Sequence, residues 1–303
     1  MTEIDAQDRL TRFLIQGAGV RGAHVRLDRT WAELRKRSDC PAAAVTLLGE
    51  ATAAAALFTA HVKVDGRLSI QLRGEGPLRT LFAECTAAGT LRGIAHLNET
   101  AKLGLSAGGL GTLVTGGLLA ITIENPSAKG AEPARYQGMV SLDSATLSAA
   151  FEGYFLQSEQ LPTRLLLAAE GQNVAGLILQ KLPGDEGDTD GWDRANALFN
   201  TLGAPELLDS DGEQLLRRLF HEDGVRILGE KSLRFACSCS RERVSAMLES
   251  LGEAEARAAA QENHGLAEIR CEFCGEVYRY SETEIDALFR LRPVSLAPPE
   301  RLQ

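Results

Sequence analysis

Apolar and polar residues alternate along much of the first 180 positions, which is the pattern of strands with one buried face. This alternation predicts strands at residues 12–15, 23–28, 78–85, 91–97, 163–169 and 173–180. Residues 42–61 are rich in alanine and leucine and predict one long, mostly buried helix. Residues 144–157 have apolar side chains at helical spacing and predict a helix that ends before Pro162. Residues 1–181 are therefore expected to form a mixed α/β domain of β-sheets and packed helices.

Two glycine-containing turns and one capping pattern add local detail. Asp65-Gly66 lies between two alternating runs in residues 62–72 and predicts a β-hairpin. Glu170-Gly171-Gln172 separates two further runs and predicts a second hairpin at a sheet edge. Thr30 and Glu33 have the spacing of a capping box, which predicts a short helix through residue 36.

A glycine-rich motif near the start has the form of a nucleotide-binding fingerprint. Gly17, Gly19 and Gly22 match G-x-G-x-x-G, but that fingerprint requires a helix directly after the glycines. The next residues alternate as a strand does. We therefore expect a glycine-rich entry to a strand here, and dinucleotide binding is the weaker alternative.

Composition changes at residues 183–191, where four acidic residues, three glycines and a proline occupy nine positions. This pattern predicts the start of a linker, followed by short amphipathic helices at 192–202 and 213–221. Three regions are expected: an α/β core domain at 1–181, a helical linker at 182–232 and a small C-terminal domain at 233–303. The linker helices carry an apolar stripe that needs a surface to cover it, and its members are Trp192, Phe199, Leu202, Leu215, Leu216, Leu219 and Phe220.

The last segment has clear helix and strand signals but few large apolar residues. Ser240 can cap a helix that stops at Gly252, and a second helix is expected at 253–262. Strands are predicted at 266–270 and 277–280, and Ser281 with Glu284 forms a capping box for a final helix. Such a thin core is expected to depend on a bound metal for its folding.

Four of the six cysteines form two short-spaced pairs in this segment, Cys237 with Cys239 and Cys271 with Cys274. Two such pairs can bring four thiolates onto one tetrahedral zinc ion, so one zinc per chain is expected. His221 and His264 are the nearby nitrogen alternatives. C-x-C is an unusual zinc pair and makes a strained disulfide, so the spacing leaves open a purely structural zinc site and a redox-labile one.

The remaining composition limits the class of protein. The chain of 303 residues has a formal net charge of −9, and it starts without the basic and apolar regions of a secretory signal, so a reducing, cytoplasmic location is expected. Residues 103–123 are uncharged over a length that could span a bilayer, but their six glycines argue against a membrane helix. Cys40 and Cys85 lack partners at ligand spacing and are expected to be small buried side chains.

The cysteine motifs Cys237-Ser-Cys239-Ser-Arg-Glu-Arg243 and Cys271-Glu-Phe-Cys274-Gly275 resemble those of the redox-regulated bacterial chaperones of the heat shock protein 33 family. The runs at 154–163, 220–226 and 233–235 add to the resemblance, which extends nearly end to end. It implies an ATP-independent holdase, inactive when reduced and zinc-bound. On oxidation such a protein forms two disulfides, releases zinc and binds unfolding client proteins, and a homodimer is among the expected partners.

From this resemblance the four paired cysteines are the expected zinc ligands. Loop-closure entropy favours near neighbours, so the expected disulfides are Cys237–Cys239 and Cys271–Cys274. If zinc loss melts the last domain, the apolar stripe of the linker becomes a candidate client surface. No catalytic residue is expected.

Two other functions compete with the chaperone. A zinc-ribbon nucleic-acid binder is disfavoured because residues 231–290 hold eight basic and eleven acidic side chains, the wrong balance for phosphate contacts. A thiol-disulfide oxidoreductase using Cys271 and Cys274 is disfavoured because that motif is predicted in a turn between strands instead of at the start of a helix.

Overall fold

The computed structural model describes residues 8–38, 40–62, 64–98, 109–127, 134–184 and 188–290, and the chain divides into two compact units between Ala236 and Cys237. Residues 103–108 of the uncharged run, residues 185–187 of the acidic run and Lys63 of the predicted 62–72 hairpin lie outside the described residues. The fold is α+β, with a mixed α/β first unit, a helical segment before the unit boundary, and a small C-terminal unit that carries the four paired cysteines.

The strands of the first unit form two sheets. They are β1 (Arg9–Ile15), β2 (Val20–Leu27), β3 (Arg67–Arg73), β4 (Leu78–Thr86), β5 (Thr90–Leu97), β6 (Leu118–Asn125), β7 (Ala134–Ser141), β8 (Thr163–Glu170), β9 (Asn173–Lys181), β10 (Val225–Ser232) and β11 (Arg234–Phe235). One sheet has the order β10-β1-β2-β9-β8 and the other β11-β5-β4-β3-β6-β7. Neighbouring strands are antiparallel, except that β11 runs parallel to β5.

Helices connect and cover these sheets. They are α1 (Arg29–Arg35), α2 (Ala42–His61), α3 (Leu110–Leu113), α4 (Leu147–Tyr154), α5 (Gly191–Phe199), α6 (Ala204–Asp209) and α7 (Gly212–Leu219). A π-helical turn, Phe155–Glu159, extends α4, so the predicted 144–157 helix is confirmed with a changed final turn.

Helix α2 forms the centre of the main hydrophobic core. It packs against strands of both sheets, with Val25 and Ile178 on one side and Ile70 and Leu81 on the other. Its mean hydropathy of 1.5 and its length would suit a membrane span, and 67% of its most apolar window is buried inside the protein. The apolar character of α2 is therefore accounted for by its central position between two sheets.

The hairpin predicted at Asp65-Gly66 is wrong. Strand β3 begins at Arg67 and pairs with β4 and β6, and no strand precedes it among the described residues after α2. The amide groups of Asp65 and Gly66 instead donate to the side chain of Asn125, at 2.8 and 3.2 Å. A Cβ on Gly66 would come within 2.1 Å of the Glu124 carbonyl oxygen, so the glycine permits a close backbone approach instead of a two-residue turn.

The capping box predicted at Thr30 and Glu33 is also wrong, although the short helix exists. Helix α1 begins at Arg29, and both the amide and the hydroxyl of Thr30 donate to the Asp8 carboxylate, at 2.9 and 3.0 Å. Glu33 pairs with Lys36 and Arg37 on the same helix surface. A carboxylate from the preceding segment thus replaces the reciprocal cap.

Two other predictions for the first unit are confirmed. Strands β8 and β9 form a hairpin around Gly171, whose φ of +56° suits glycine, and β8 is a sheet edge. The glycine motif after β1 leads through a single 3₁₀ turn into β2 and not into a helix. The motif therefore lacks the helix N-terminus that would bind a dinucleotide pyrophosphate.

The second unit contains α8 (Arg241–Leu251), α9 (Glu253–Glu262), β12 (Leu266–Arg270), β13 (Val277–Ser281) and α10 (Glu282–Arg290), as the pattern predicts. The Ser240 hydroxyl caps α8, and Ser281 and Glu284 exchange the two bonds of a capping box. Among the described residues its buried core is formed by Val244, Leu248, Ala256, Ala260, Ala267, Tyr280 and Ile285. Met247 and Leu251 of α8 are 40% and 56% exposed.

Candidate metal centre and connecting segment

The four paired cysteines come from two loops of the second unit. Cys237 and Cys239 lie in the irregular chain before α8, and Cys271 and Cys274 lie in the turn between β12 and β13. In that turn the Gly275 amide donates to the Cys271 carbonyl and the Cys271 amide to the Glu276 carbonyl, both at 2.8 Å. Gly275 has a φ of +76°, so a glycine after the second cysteine lets the loop fold back.

The four sulfur atoms form one group in which all lie within 4.8 Å of one another. The Sγ atoms of Cys237 and Cys271 are 3.6 Å apart, and those of Cys239 and Cys274 are 3.3 Å apart. A tetrahedral zinc with Zn–S bonds of about 2.3 Å separates its sulfurs by about 3.8 Å. The donor set is therefore compatible with zinc, and neither His221 nor His264 belongs to it.

Nearby side chains fix the two cysteine loops. Arg243 of α8 donates to the Ser238 carbonyl at 2.8 Å, which holds the C-x-C loop against the helix. The Tyr278 hydroxyl of β13 donates to Cys239 Sγ at 3.2 Å. Tyr280 donates to the Arg241 carbonyl at 2.9 Å, so α8 and the β12–β13 hairpin are tied together beside the sulfurs.

The thiols differ in their proton affinity. Burial raises the pKa values of Cys237 and Cys274. Burial acts in the same direction on Cys239, but hydrogen bonds from Tyr278 and the neighbouring thiols outweigh it and lower its pKa. The group is therefore arranged to stabilise negative charge first at Cys239, the form in which sulfur binds metal or attacks an oxidant.

Cys40 and Cys85 belong to the first unit. Cys85 is fully buried, and burial raises its pKa to about 12. Cys40 is partly buried, packs against the main core and donates to the Ala95 carbonyl at 3.3 Å. All six cysteines lie within the described residues, and none forms a disulfide.

The connecting segment, defined as residues 191–232, lies within the first unit and contains α5, α6, α7 and β10. Its helices cover the face of the five-stranded sheet opposite α2, where Phe13, Val20 and Leu177 meet them. All seven apolar residues predicted as a stripe belong to this cluster. Phe199, Leu202, Leu215, Leu216 and Phe220 are buried, and Trp192 and Leu219 are partly buried.

Ion pairs and hydrogen bonds supplement this apolar docking. Arg194 of α5 pairs with Asp188 and with the nearly buried Asp223, and donates to the Gly17 carbonyl at 3.3 Å. These contacts raise the pKa of Arg194, chiefly through Asp223. Arg26 of β2 donates to the Ser210 carbonyl between α6 and α7 at 3.1 Å.

Three elements between α5 and the end of the first unit were missing from the sequence-based prediction. Helix α6 has Pro205 in its first turn and buries Leu207 and Leu208, and a proline at a helix start followed by two leucines is the signal that could have found it. Strand β10 joins β1 as an edge strand, although Leu228 on it is 48% exposed and weakens the alternation. Strand β11 adds to the second sheet through only two residues.

Comparisons with known proteins agree with this architecture. The family model described as Hsp33 protein matches residues 8–281. A 33 kDa chaperonin of Pseudomonas fluorescens (strain SBW25) is 41% identical over 294 residues, covering 95% of this chain and 96% of the relative. One of Ectopseudomonas mendocina (strain ymp) is 42% identical over 283 residues, covering 92% and 94%.

A solved structure provides a comparison of the fold. The crystal structure of the 33 kDa chaperonin (heat shock protein 33 homolog) of Thermotoga maritima matches with a TM-score of 0.75 at 23% identity, covering 94% of this chain and 98% of that one. The resemblance noted in the cysteine motifs is thus confirmed over most of the chain. The protein belongs to the Hsp33 family of chaperones.

Proposed function

We propose that this protein is a redox-regulated, ATP-independent holdase of the cytoplasm, inactive when reduced and zinc-bound and active towards unfolding proteins after oxidation. The observation that carries the proposal is the group of four thiols within 4.8 Å of one another, in a unit with a very small apolar core. A unit of that kind gains its folding free energy from its metal site, so chemistry at the sulfurs decides whether it folds.

Cys237, Cys239, Cys271 and Cys274 would hold the metal. Zinc bound by four thiolates supplies on the order of 10 to 16 kcal/mol of apparent binding free energy in small zinc peptides. That range is about as large as what the seven buried side chains, of which three are alanines, would supply by burial, so loss of the metal removes about half of the favourable free energy of this unit. The second unit is therefore expected to be folded with zinc and largely unfolded without it.

Oxidation removes the ligands. Two molecules of hydrogen peroxide convert the four thiols into two disulfides, and each hydrogen peroxide is reduced to two molecules of water. We propose the pairs Cys237–Cys239 and Cys271–Cys274, because short loops lose the least entropy on closure. Disulfide sulfurs bind zinc poorly, so the metal and its folding free energy are lost together.

The connecting segment would transmit this change to client proteins. Its buried apolar residues each contribute on the order of 1.5 to 3 kcal/mol to docking on the sheet, and the same residues would offer an adhesive surface when uncovered. In this scheme the functional division is a core domain at 1–181, a redox-sensitive linker at 182–232 and a switch domain at 233–303. The proposed client surface consists of Trp192, Phe199, Leu202, Leu215, Leu216, Leu219 and Phe220.

The proposed partners are unfolding polypeptides and, after oxidation, a second copy of the chain in a homodimer. A holdase of this kind needs neither catalytic residues nor a nucleic acid or membrane surface. The net charge of −9 is consistent with that proposal, because it gives no general attraction for phosphate.

Zinc content and client protection measured on the same samples test the proposal. The reduced protein should hold one zinc per chain and leave a heat-unfolded client to aggregate, and peroxide should release the zinc and suppress aggregation. Cys274→Ser should abolish stoichiometric zinc, whereas the matched control Cys40→Ser should keep both zinc and the redox response. Full zinc retention in Cys274→Ser, or unchanged aggregation with the oxidised wild type, would contradict the proposal.

A further inference from the structure

His24 is a buried imidazole beneath the helices of the connecting segment. It lies on β2 with 3% of its surface exposed, and its Nε2 atom has no hydrogen-bond partner among the described residues. The start of α7 lies directly on the ring, since a Cβ on Gly212 would come within 2.4 Å of His24 Nδ1. The α7 backbone can therefore reach its docked position only because residue 212 is glycine.

The groups around His24 favour the neutral ring. Arg26, two residues along the same strand, places a guanidinium beside it, and β1 contributes Thr11 opposite His24 and Arg9 opposite Arg26, two register positions away. Glu230 of β10 pairs with that Arg9 at 2.9 Å, and β9 contributes the apolar Leu177.

The nearby acidic groups are already engaged. The Asp211 carboxylate, at the start of α7, accepts from the Gln214 amide at 3.1 Å as the helix cap. Asp28 is bound by Arg26 at 3.1 Å. The Asp211 charge favours a proton on His24, but burial and the Arg26 guanidinium have larger effects and favour the neutral ring. The released segment would let water solvate the charged ring.

We propose that protonation of His24 releases α6 and α7 from the sheet, so that mild acid acts as a second trigger beside oxidation. The inference rests on the proposed role of the connecting segment as the client surface. It concerns a group in the first unit, remote in sequence from the cysteines, and it needs no change at the sulfurs.

The direction of the pH dependence follows from the two states. Burial, followed by the effect of Arg26, lowers the pKa of docked His24 from 6.5 to about 4. Between these values the released state binds a proton and the docked state does not, so the released population rises as pH falls. From pH 7.5 to pH 5.5 the ratio of released to docked segment should rise by about tenfold.

Hydrogen exchange on the reduced, zinc-bound, full-length protein measures this ratio. Exchange rates of residues 204–221 at pH 7.5 and 5.5 are divided by the intrinsic chemical rates, giving the opening equilibrium at each pH. We expect about a tenfold rise in the wild type and in His221→Gln, which changes an exposed histidine on the same segment. In His24→Gln the rise should be less than twofold. Equal pH dependence in wild type and His24→Gln would overturn the proposal.

A second variant tests the same contact without titration. Gly212→Ala places a methyl group against the His24 ring, so residues 204–221 should open at both pH values with zinc still bound. The double variant His24→Ala/Gly212→Ala should restore protection, because it removes the obstructing ring. A Gly212→Ala protein with wild-type protection would show that the start of α7 does not contact His24 and would overturn the proposal.

The experiments distinguish a failure of the His24 inference from a failure of the proposed function. If acid opens residues 204–221 and clients still aggregate, the segment is not the client surface, and the His24 switch stands. If peroxide opens the segment and suppresses aggregation, but pH 5.5 leaves residues 204–221 protected, the proposed function stands and the His24 inference is wrong.

Discussion

The two units gain their stability in different ways. In the first unit α2 is buried between two sheets, and a second hydrophobic cluster forms where the connecting segment covers the outer face of the five-stranded sheet. In the second unit the described residues bury only a small cluster, beside a group of four thiols. Under the proposed function, one chain would hold a permanent scaffold and a conditional unit, because apolar burial responds little to oxidants whereas a thiol site responds directly.

Removal of zinc should reveal the largest difference in stability between the two units. Treatment of the reduced protein with a chelator should cost the second unit on the order of 10 kcal/mol, more than a unit of that size can lose and remain folded. Hydrogen exchange should show loss of protection at residues 241–290, while the β8–β9 hairpin keeps its protection. If α8 and α9 stay protected in zinc-free, reduced protein, apolar packing alone folds the second unit.

Charge placed beneath the connecting segment should give the next largest effect. Leu216→Asp puts a carboxylate into a fully buried position between α7 and the sheet, and we expect a loss of on the order of 4 kcal/mol of docking free energy. Residues 204–221 should become accessible to limited proteolysis in the reduced, zinc-bound protein, together with client binding. The matched control Leu228→Asp changes a leucine that is 48% exposed on β10 and should leave the segment docked.

The first unit contains its own ionisable weak point at Glu50. Burial raises the folded-state pKa of this α2 carboxyl to about 7, above its value in the unfolded chain. At pH 8 the carboxyl is therefore ionised in a buried position, which lowers the stability of the unit. That stability rises as the carboxyl protonates below pH 7. Glu50→Gln should therefore stabilise the unit at pH 8 by on the order of 2 kcal/mol, and much less at pH 5.

Urea unfolding at the two pH values measures this difference. Glu75→Gln, which changes an exposed glutamate of the same unit, provides the control and should have little effect at either pH. An equal increase in the free energy of unfolding for Glu50→Gln at both pH values would mean that ionisation of the Glu50 carboxyl does not destabilise the unit.

Helix capping should give the smallest effect and should depend on the metal. Ser281→Ala removes the bond from the Glu284 amide to the Ser281 hydroxyl and the bond from that hydroxyl to the Glu284 carboxylate, and should cost about 1 kcal/mol. The loss should appear as weaker zinc retention against a competing chelator, because metal binding and folding of the second unit are linked. Ser250→Ala, at the exposed end of α8, is the control. Equal zinc retention in Ser281→Ala and wild type would show that the α10 cap does not contribute to zinc binding.

The elements of the second unit were predictable because their signals are local. The caps at Ser240 and Ser281, the stop at Gly252 and the cysteine spacing act within a few residues, and the structure confirms the helices and strands that they predict. The sequence spacing also identified the four thiols that the fold brings together.

Predictions that depended on distant partners were the weak ones. Asp65-Gly66 has a hairpin sequence, but its amides are taken by Asn125, sixty residues away. Thr30 has a capping sequence, but Asp8 competes for it. Strand β10 pairs with β1 across more than 200 residues, and no local pattern specifies that partner. His24 could be recognised as a candidate switch only after Gly212 was placed on its ring.

The central claim is that chemistry at four sulfurs of the second unit uncovers a surface of the first. Hydrogen exchange of the connecting segment in matched reduced and peroxide-treated samples tests it most directly, with the β8–β9 hairpin as the internal reference. The account predicts that α5, α6 and α7 lose protection on oxidation, in step with zinc release, while the hairpin stays unchanged. Unchanged protection of those helices in a zinc-free, oxidised sample that suppresses client aggregation would contradict it.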